Sequence, residues 1–218
     1  MVGKKSLLLI SFFIVLSVGC ATTPPVRDAL KEDLQVPAGT IEGNQFTGVR
    51  YPFNVSVPSR WKMTTEFPDF MEDFGYDKPS PNDKEQTELY IYNPETKSSI
   101  QFDLTPAGRY ATFNQAKIEW LVTAATDSLK SEIEKDYGKD MKVEVGPTEP
   151  ISFKGVSFAA KKYATYTVKG LKREQGWIYG FTEPYQIFIL YMILEKEGTN
   201  DRQDLKKILD SFEVISKK

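Results

Sequence analysis

The chain has 218 residues, 28 Lys and Arg against 30 Asp and Glu, a formal net charge of −2, no His and one Cys. That balance carries no concentrated basic face of the kind a nucleic-acid binder needs, and the missing His and spare Cys remove Ser-His-Asp, Cys-His, His-containing zinc and Cys₄ devices, leaving two-carboxylate chemistry as the enzymatic option. Hydrophobic residues at 40% and aromatics at 13% supply a core, and the length beyond the amino-terminal segments suits one domain.

Lys4 and Lys5 precede an apolar run, Ser6–Val18, broken only by Ser6, Ser11 and Ser17. This is the charged and apolar pattern of an export signal, shorter than the ~20 apolar residues a membrane span requires. Leu16-Ser17-Val18-Gly19-Cys20 resembles the lipobox of bacterial lipoproteins, in which a small residue precedes a cysteine that takes a diacylglycerol before the signal is cut. Residues 1–19 are therefore expected to be a lipoprotein signal peptide and Cys20 the lipidated residue. An ordinary secretory signal cut nearby is the alternative. As the single cysteine, Cys20 has no intramolecular disulfide partner. Acyl chains worth about 0.8 kcal/mol per buried CH₂ would anchor the protein stably. The implied setting is the bacterial cell envelope, facing the periplasm. Ala21, in place of an Asp, resembles the outer-membrane class rather than the inner.

Residues 20–44 are read as lipidated Cys and flexible tether. Thr22-Thr23-Pro24-Pro25, Val36-Pro37-Ala38-Gly39 and Glu42-Gly43-Asn44 surround the charged stretch Arg27–Leu34, and such a composition buries too little apolar area to offset chain entropy. Residues 45–218 are expected to form a single globular domain. Phe46–Val49 and Phe53–Val57 alternate with period two and predict an opening hairpin, followed by Trp61-Lys62-Met63. Further strands are expected at Glu88–Tyr92, Ser99–Leu104, Met141–Val145, Val156–Val168, Arg173–Thr182 and Tyr185–Glu195. The apolar run Tyr185–Leu194 fits a central strand covered on both faces.

Two helices are expected. In Phe113–Lys135, Ile118, Leu121, Val122, Ala125, Leu129 and Ile133 recur at helical spacing. Asp201–Phe212 repeats the pattern with Leu205, Ile208, Leu209 and Phe212, after Gly198-Thr199-Asn200, which offers capping side chains. Short links between consecutive strands favour hairpins. The expected class is therefore α+β, a central antiparallel sheet with helices packed on its faces.

Phe53-Asn54-Val55-Ser56-Val57-Pro58-Ser59-Arg60-Trp61 resembles the F-x-x-x-x-P-x-x-W start of the PsbP-like superfamily. The element order is similar too. A mid-chain helix is followed by Pro150-Ile151-Ser152-Phe153-Lys154-Gly155-Val156, a meander and a closing helix ending Ile208–Val214. The resemblance covers roughly Gln45 to Ile215 and implies a PsbP-like sandwich that serves as an accessory or binding module without a shared active site. Metal sites of plant members that use His find none here, so no metal, cofactor or catalytic residue is carried over.

The densest local constellation is Glu66–Asp77. Phe67, Phe70, Met71 and Phe74 fall at helical spacing on one face, with Asp69, Glu72 and Asp73 on the other. Such a segment is either a surface helix whose aromatics plug the core, or an aromatic lip with an acidic rim that receives a partner or a hard cation. Phe67, Phe70, Phe74, Tyr76, Asp69, Glu72 and Asp73 are the partner-binding candidates. Lys78–Asp83 reads as a loop suited to a binding edge. Trp177, Tyr179 and Phe181 share one strand face, expected to lie under a helix. The reading is a non-catalytic lipoprotein, tethered to the membrane, whose domain assists or assembles another envelope protein. The alternative is a small-ligand binder or carboxylate-dependent hydrolase acting on cell-envelope material. It requires an apolar cavity of roughly 300 Å³ or more, or two carboxylates about 5 to 9 Å apart in a concave pocket.

Overall fold

Period-two alternation becomes a two-faced sheet wherever the sequence shows it. The computed structural model describes residues 34–80, 87–108, 112–138, 141–196 and 199–215, so the expected leader and Cys20 lie outside the described residues. A small sheet has the order β1 (Gly39–Glu42), β2 (Gln45–Gly48), β3 (Phe53–Ser56), β12 (Glu213–Val214). A large sheet runs β4 (Lys62–Thr64), β5 (Leu89–Tyr92), β6 (Ser99–Pro106), β11 (Tyr185–Leu194), β10 (Leu171–Thr182), β9 (Phe158–Val168). The short β7 (Glu144–Val145) and β8 (Glu149–Pro150) both pair with β9. All named strand pairs are antiparallel.

The main core lies between the sheets. Phe46, Phe53 and Val55 of the small sheet meet Ile100, Phe102, Ile178, Ile187 and Ile189 of the large one. Helix α2 (Asp201–Ser211) closes this layer with Leu205, Ile208, Leu209 and the following Phe212. Phe212 packs against Phe53, Phe102 and Phe153. Each such side chain contributes on the order of 1.5–3 kcal/mol through burial. Helix α1 (Gln115–Tyr137) covers the opposite face of the large sheet, with Ile118 and Val122 against Ala160 and Phe181 and Ile133 against Tyr166 and Val168. The Asn114 side chain caps it by accepting from the Lys117 amide at 2.9 Å. The β9–β10 hairpin turns through Lys169 and Gly170, both at positive φ (51° and 78°). That is the turn geometry that matches the twist of paired strands.

Three expectations change. The tether does not extend to residue 44, because Gly39–Glu42 is a strand laddered onto β2. Ala38 also accepts from Val49, and Val36 accepts from Arg50. A short edge strand needs no apolar alternation, so composition alone marked it as spacer. Gly39 is a packing glycine, since a Cβ there would come within 2.4 Å of the Phe46 ring. Second, Asn200 stands at the start of α2 without a side-chain cap, its backbone at ψ 30° lying outside the extended conformation a capping residue adopts. Third, β11 is central and buried on one side at Ile187, Ile189, Tyr191 and Ile193, while on the other side Met192 and Leu194 are buried and Phe188 and Leu190 half-buried, so the second face is fully covered only toward its end.

Candidate functional site

The residues from 66 to 77 form a 3₁₀ helix, Asp69–Phe74, and not an α-helix. Pro68 opens it in extended backbone, and Gly75, in the left-handed region at φ 86°, ends it as its amide donates to the Glu72 carbonyl. With about three residues per turn, the aromatics do not share the single face that α spacing predicts. Met71 drops into the interior and is 1% exposed. Phe67 and Phe70 lean one way, edge-on to Tyr90 and tilted against Tyr92, with centroids 5.8 and 5.3 Å apart. Phe74 and Tyr76 turn the other way, toward Arg173 of β10. Asp69, Glu72 and Asp73 are exposed.

The structure thus places five of the seven candidates at two sites, while Glu72 and Asp73 are exposed and line neither. On the first side lies a trough of about 840 Å³, floored by Phe67, Phe70, Tyr90 and Tyr92 and edged by Glu66, Asp69, Lys78 and Lys97. Lys97 stands 5.1 Å from the Phe70 centroid, and Lys78 lies 3.8 Å from Asp69. The rim therefore carries both signs, where sequence reasoning saw acid alone. Lys97 sits 27 residues from Phe70 in the chain and is brought there by the β5–β6 turn, so spacing within the motif held no signal for it. No group of three or more carboxylates able to hold a metal ion occurs among the described residues.

On the second side, Phe74, Gly75 and Tyr76, with Leu129, Glu132 and Ile133 of α1, roof a cavity of about 170 Å³ over Tyr166, Arg173, Gln175 and Met192. Trp177 and Phe181 lie buried on the same sheet face, with Tyr179 half-buried between them. Phe181 stacks on Phe113, just before α1, at 4.6 Å. These aromatics serve the core, as expected.

The buried carboxylates are committed elsewhere. Arg60 reaches Asp201 at 3.1 Å and Asp204 at 2.5 Å. Asp201 also accepts from Asn93 (3.0 Å) and Ser98 (2.7 Å), and Asp204 from Trp61 Nε1 (3.1 Å) and Lys207 (3.2 Å). Burial raises the Asp204 carboxyl, and bonds from Arg60, Lys207 and Trp61 outweigh it, so the net shift is downward. Glu88 is held by Arg50 at 2.8 Å and Glu174 by Arg202 at 2.6 Å. A hydrolytic carboxyl pair needs one acid held protonated by its surroundings. Among the described residues, the carboxyls of Glu144, Asp204 and Glu213 are displaced downward from their ordinary values. The Arg60, Asp201 and Asp204 bonds fix α2 to the sheets.

No protein-family model and no curated protein matches the chain. Among solved structures, the fold is similar to cyanobacterial PsbP (CyanoP) from Synechocystis sp. PCC 6803, with a TM-score of 0.52 and 11% identity over 82% of this chain and 99% of that one. It is also similar to a protein of Bacteroides thetaiotaomicron, at TM-score 0.47 and 9% identity, covering 81% of this chain and 50% of that one. A third similarity is to LpqN, involved in cell envelope biogenesis of Mycobacterium tuberculosis, at TM-score 0.47 and 12% identity over 76% and 84%. The domain therefore has a PsbP-like α+β fold, as the Phe53–Trp61 motif and the element order led us to expect.

Proposed function

We propose that the chain is a bacterial envelope lipoprotein, anchored through Cys20, whose PsbP-like domain is a non-catalytic binding module that assists or assembles another envelope protein. The observation that carries the binding role is the trough of Phe67, Phe70, Tyr90 and Tyr92 with Glu66, Asp69, Lys78 and Lys97 at its edge. Half-buried Phe67, Phe70 and Tyr92 over the buried Tyr90, ringed by charge, suit a protein surface that buries an apolar segment and pairs flanking charges of both signs. The ion-paired state of the buried acids supports a module without hydrolytic chemistry. No helix among the described residues is long and apolar enough to cross a membrane, and on this reading the acyl chains on Cys20 hold the protein to the bilayer.

The test is crosslinking in envelopes of the native host, comparing the wild type with Phe70→Ala and Cys20→Ala. One partner should be recovered with the wild type and fall at least about tenfold with Phe70→Ala, as truncation of an interface aromatic anchor does. Recovery should also weaken when the anchor is removed. An identical capture profile for a folded Phe70→Ala chain would overturn the trough as the docking surface. Palmitate labelling that is absent from Cys20→Ala and present in the wild type checks the anchor.

A further inference from the structure

Arg173 presents a problem that the docking reading does not use. It is 9% exposed, and its Nε is buried without a hydrogen-bond partner. Its guanidinium carbon stands over the Phe74 ring, 5.1 Å from the centroid. The nearby Tyr76 hydroxyl is likewise buried without a partner. Burial, reinforced by Tyr166 and opposed by Arg173, pushes that phenol upward, so it remains a proton donor. Tyr166 donates to Gln175 at 2.8 Å, which occupies that pair with each other. The next residue on β10, Glu174, points to the opposite sheet face and pairs with Arg202 there. A guanidinium withdrawn from water without an anion costs several kcal/mol. A cation and a hydroxyl donor left open at one small cavity together describe an anion site.

The cavity walls narrow the class of anion. Leu129, Ile133, Met192 and Phe74 are apolar, while Glu132 borders the opening from the exposed side of α1. Apolar walls favour an organic body, and the Glu132 charge disfavours a polyanion such as phosphate. The volume of about 170 Å³ is close to the ~150 Å³ cavity that accommodates benzene. We propose that this cavity binds a small organic monocarboxylate of about one-ring size. Arg173 takes the carboxylate in its two-pronged fork and the Tyr76 hydroxyl donates to it. The site opens on the other side of the 3₁₀ helix from the trough, with the Phe70 and Phe74 rings touching edge-on at 6.3 Å between the two.

The full chain is titrated calorimetrically with benzoate, inorganic phosphate and benzyl alcohol. Benzoate should bind saturably, and phosphate and the uncharged alcohol at least about tenfold more weakly. Tyr76→Phe and Arg173→Met should each weaken benzoate at least about tenfold, the effect of removing a hydrogen bond to a charged group. Phe67→Ala, on the trough side against Tyr90, should leave benzoate affinity unchanged, which separates this site from the docking surface. Absence of saturable benzoate binding, phosphate or benzyl alcohol binding as tightly, or unchanged affinity in a folded Tyr76→Phe chain would each overturn the proposal. Should Arg173→Met fail to fold, Tyr76→Phe decides alone.

Discussion

One twelve-residue segment serves two unlike surfaces. Its first half lies over β4 and β5 at the edge of the large sheet, where Phe67 and Phe70 meet tyrosines and their charged neighbours stay in water. Its second half crosses toward β9 and β10, where Phe74 and Tyr76 close over a buried arginine and face α1. The aromatic residue types are similar on both sides. What differs is the floor and the number of walls: one side is an open trough with mixed, solvated charge, the other a small enclosure with one unpaired cation. Exposed charges on the trough side contribute little each, about 0–1 kcal/mol per pair, and tune partner choice. Burial makes the same kind of charge on the cavity side a strong determinant of what can enter.

Three changes test how far the two sides are separate. The largest effect should come from Met71→Ala, because that side chain is 1% exposed and anchors the segment between them. Truncation should cost about 2–5 kcal/mol, read as a fall in urea midpoint, with loss of both partner capture and benzoate binding. Asp204→Asn should cost about 1–3 kcal/mol by weakening the bonds from Arg60, Trp61 and Lys207, while a folded variant keeps both surfaces. The Asp204 carboxyl is held below its ordinary value, so its contribution is present above the unfolded pKa of about 4 and is lost as pH falls through the lower folded value. The gap between wild-type and Asp204→Asn stability should therefore narrow in acid, as measured by urea melts across pH. The smallest effect should come from Gly75→Ala. Nothing lies within 4 Å of the added Cβ, so the penalty is the positive φ alone, about 1–2 kcal/mol. Gly75 precedes Tyr76 and follows Phe74, so strain there should weaken benzoate binding more than partner capture. Equal losses at both sites would show that the segment moves as one unit.

Local sequence determined most of the strands and both helices. The alternation in Phe46–Val57 and Arg173–Thr182, and the helical stripes at Ile118–Ile133 and Leu205–Phe212, reflect burial of one face of each element, which sequence periodicity records directly. Together with the Phe53–Trp61 motif they sufficed for a PsbP-like α+β sandwich. Tertiary structure alone decided the rest. Strands β1, β8 and β12 have two to four residues and exist because neighbouring strands offer open ladders, a condition no local pattern encodes. Phe67, Phe70, Phe74 and Tyr76 form a contiguous cluster in the sequence, yet their division between trough and cavity follows from the 3₁₀ turn between Pro68 and Gly75 and from the sheet beneath it. Lys172-Arg173-Glu174 carries three charges and no apolar residue. Burial of Arg173 on one face and Glu174 on the other depends on α1 and α2 covering opposite sides of the same sheet, because alternation sets which residues share a face but packing from elsewhere in the chain sets which face is covered.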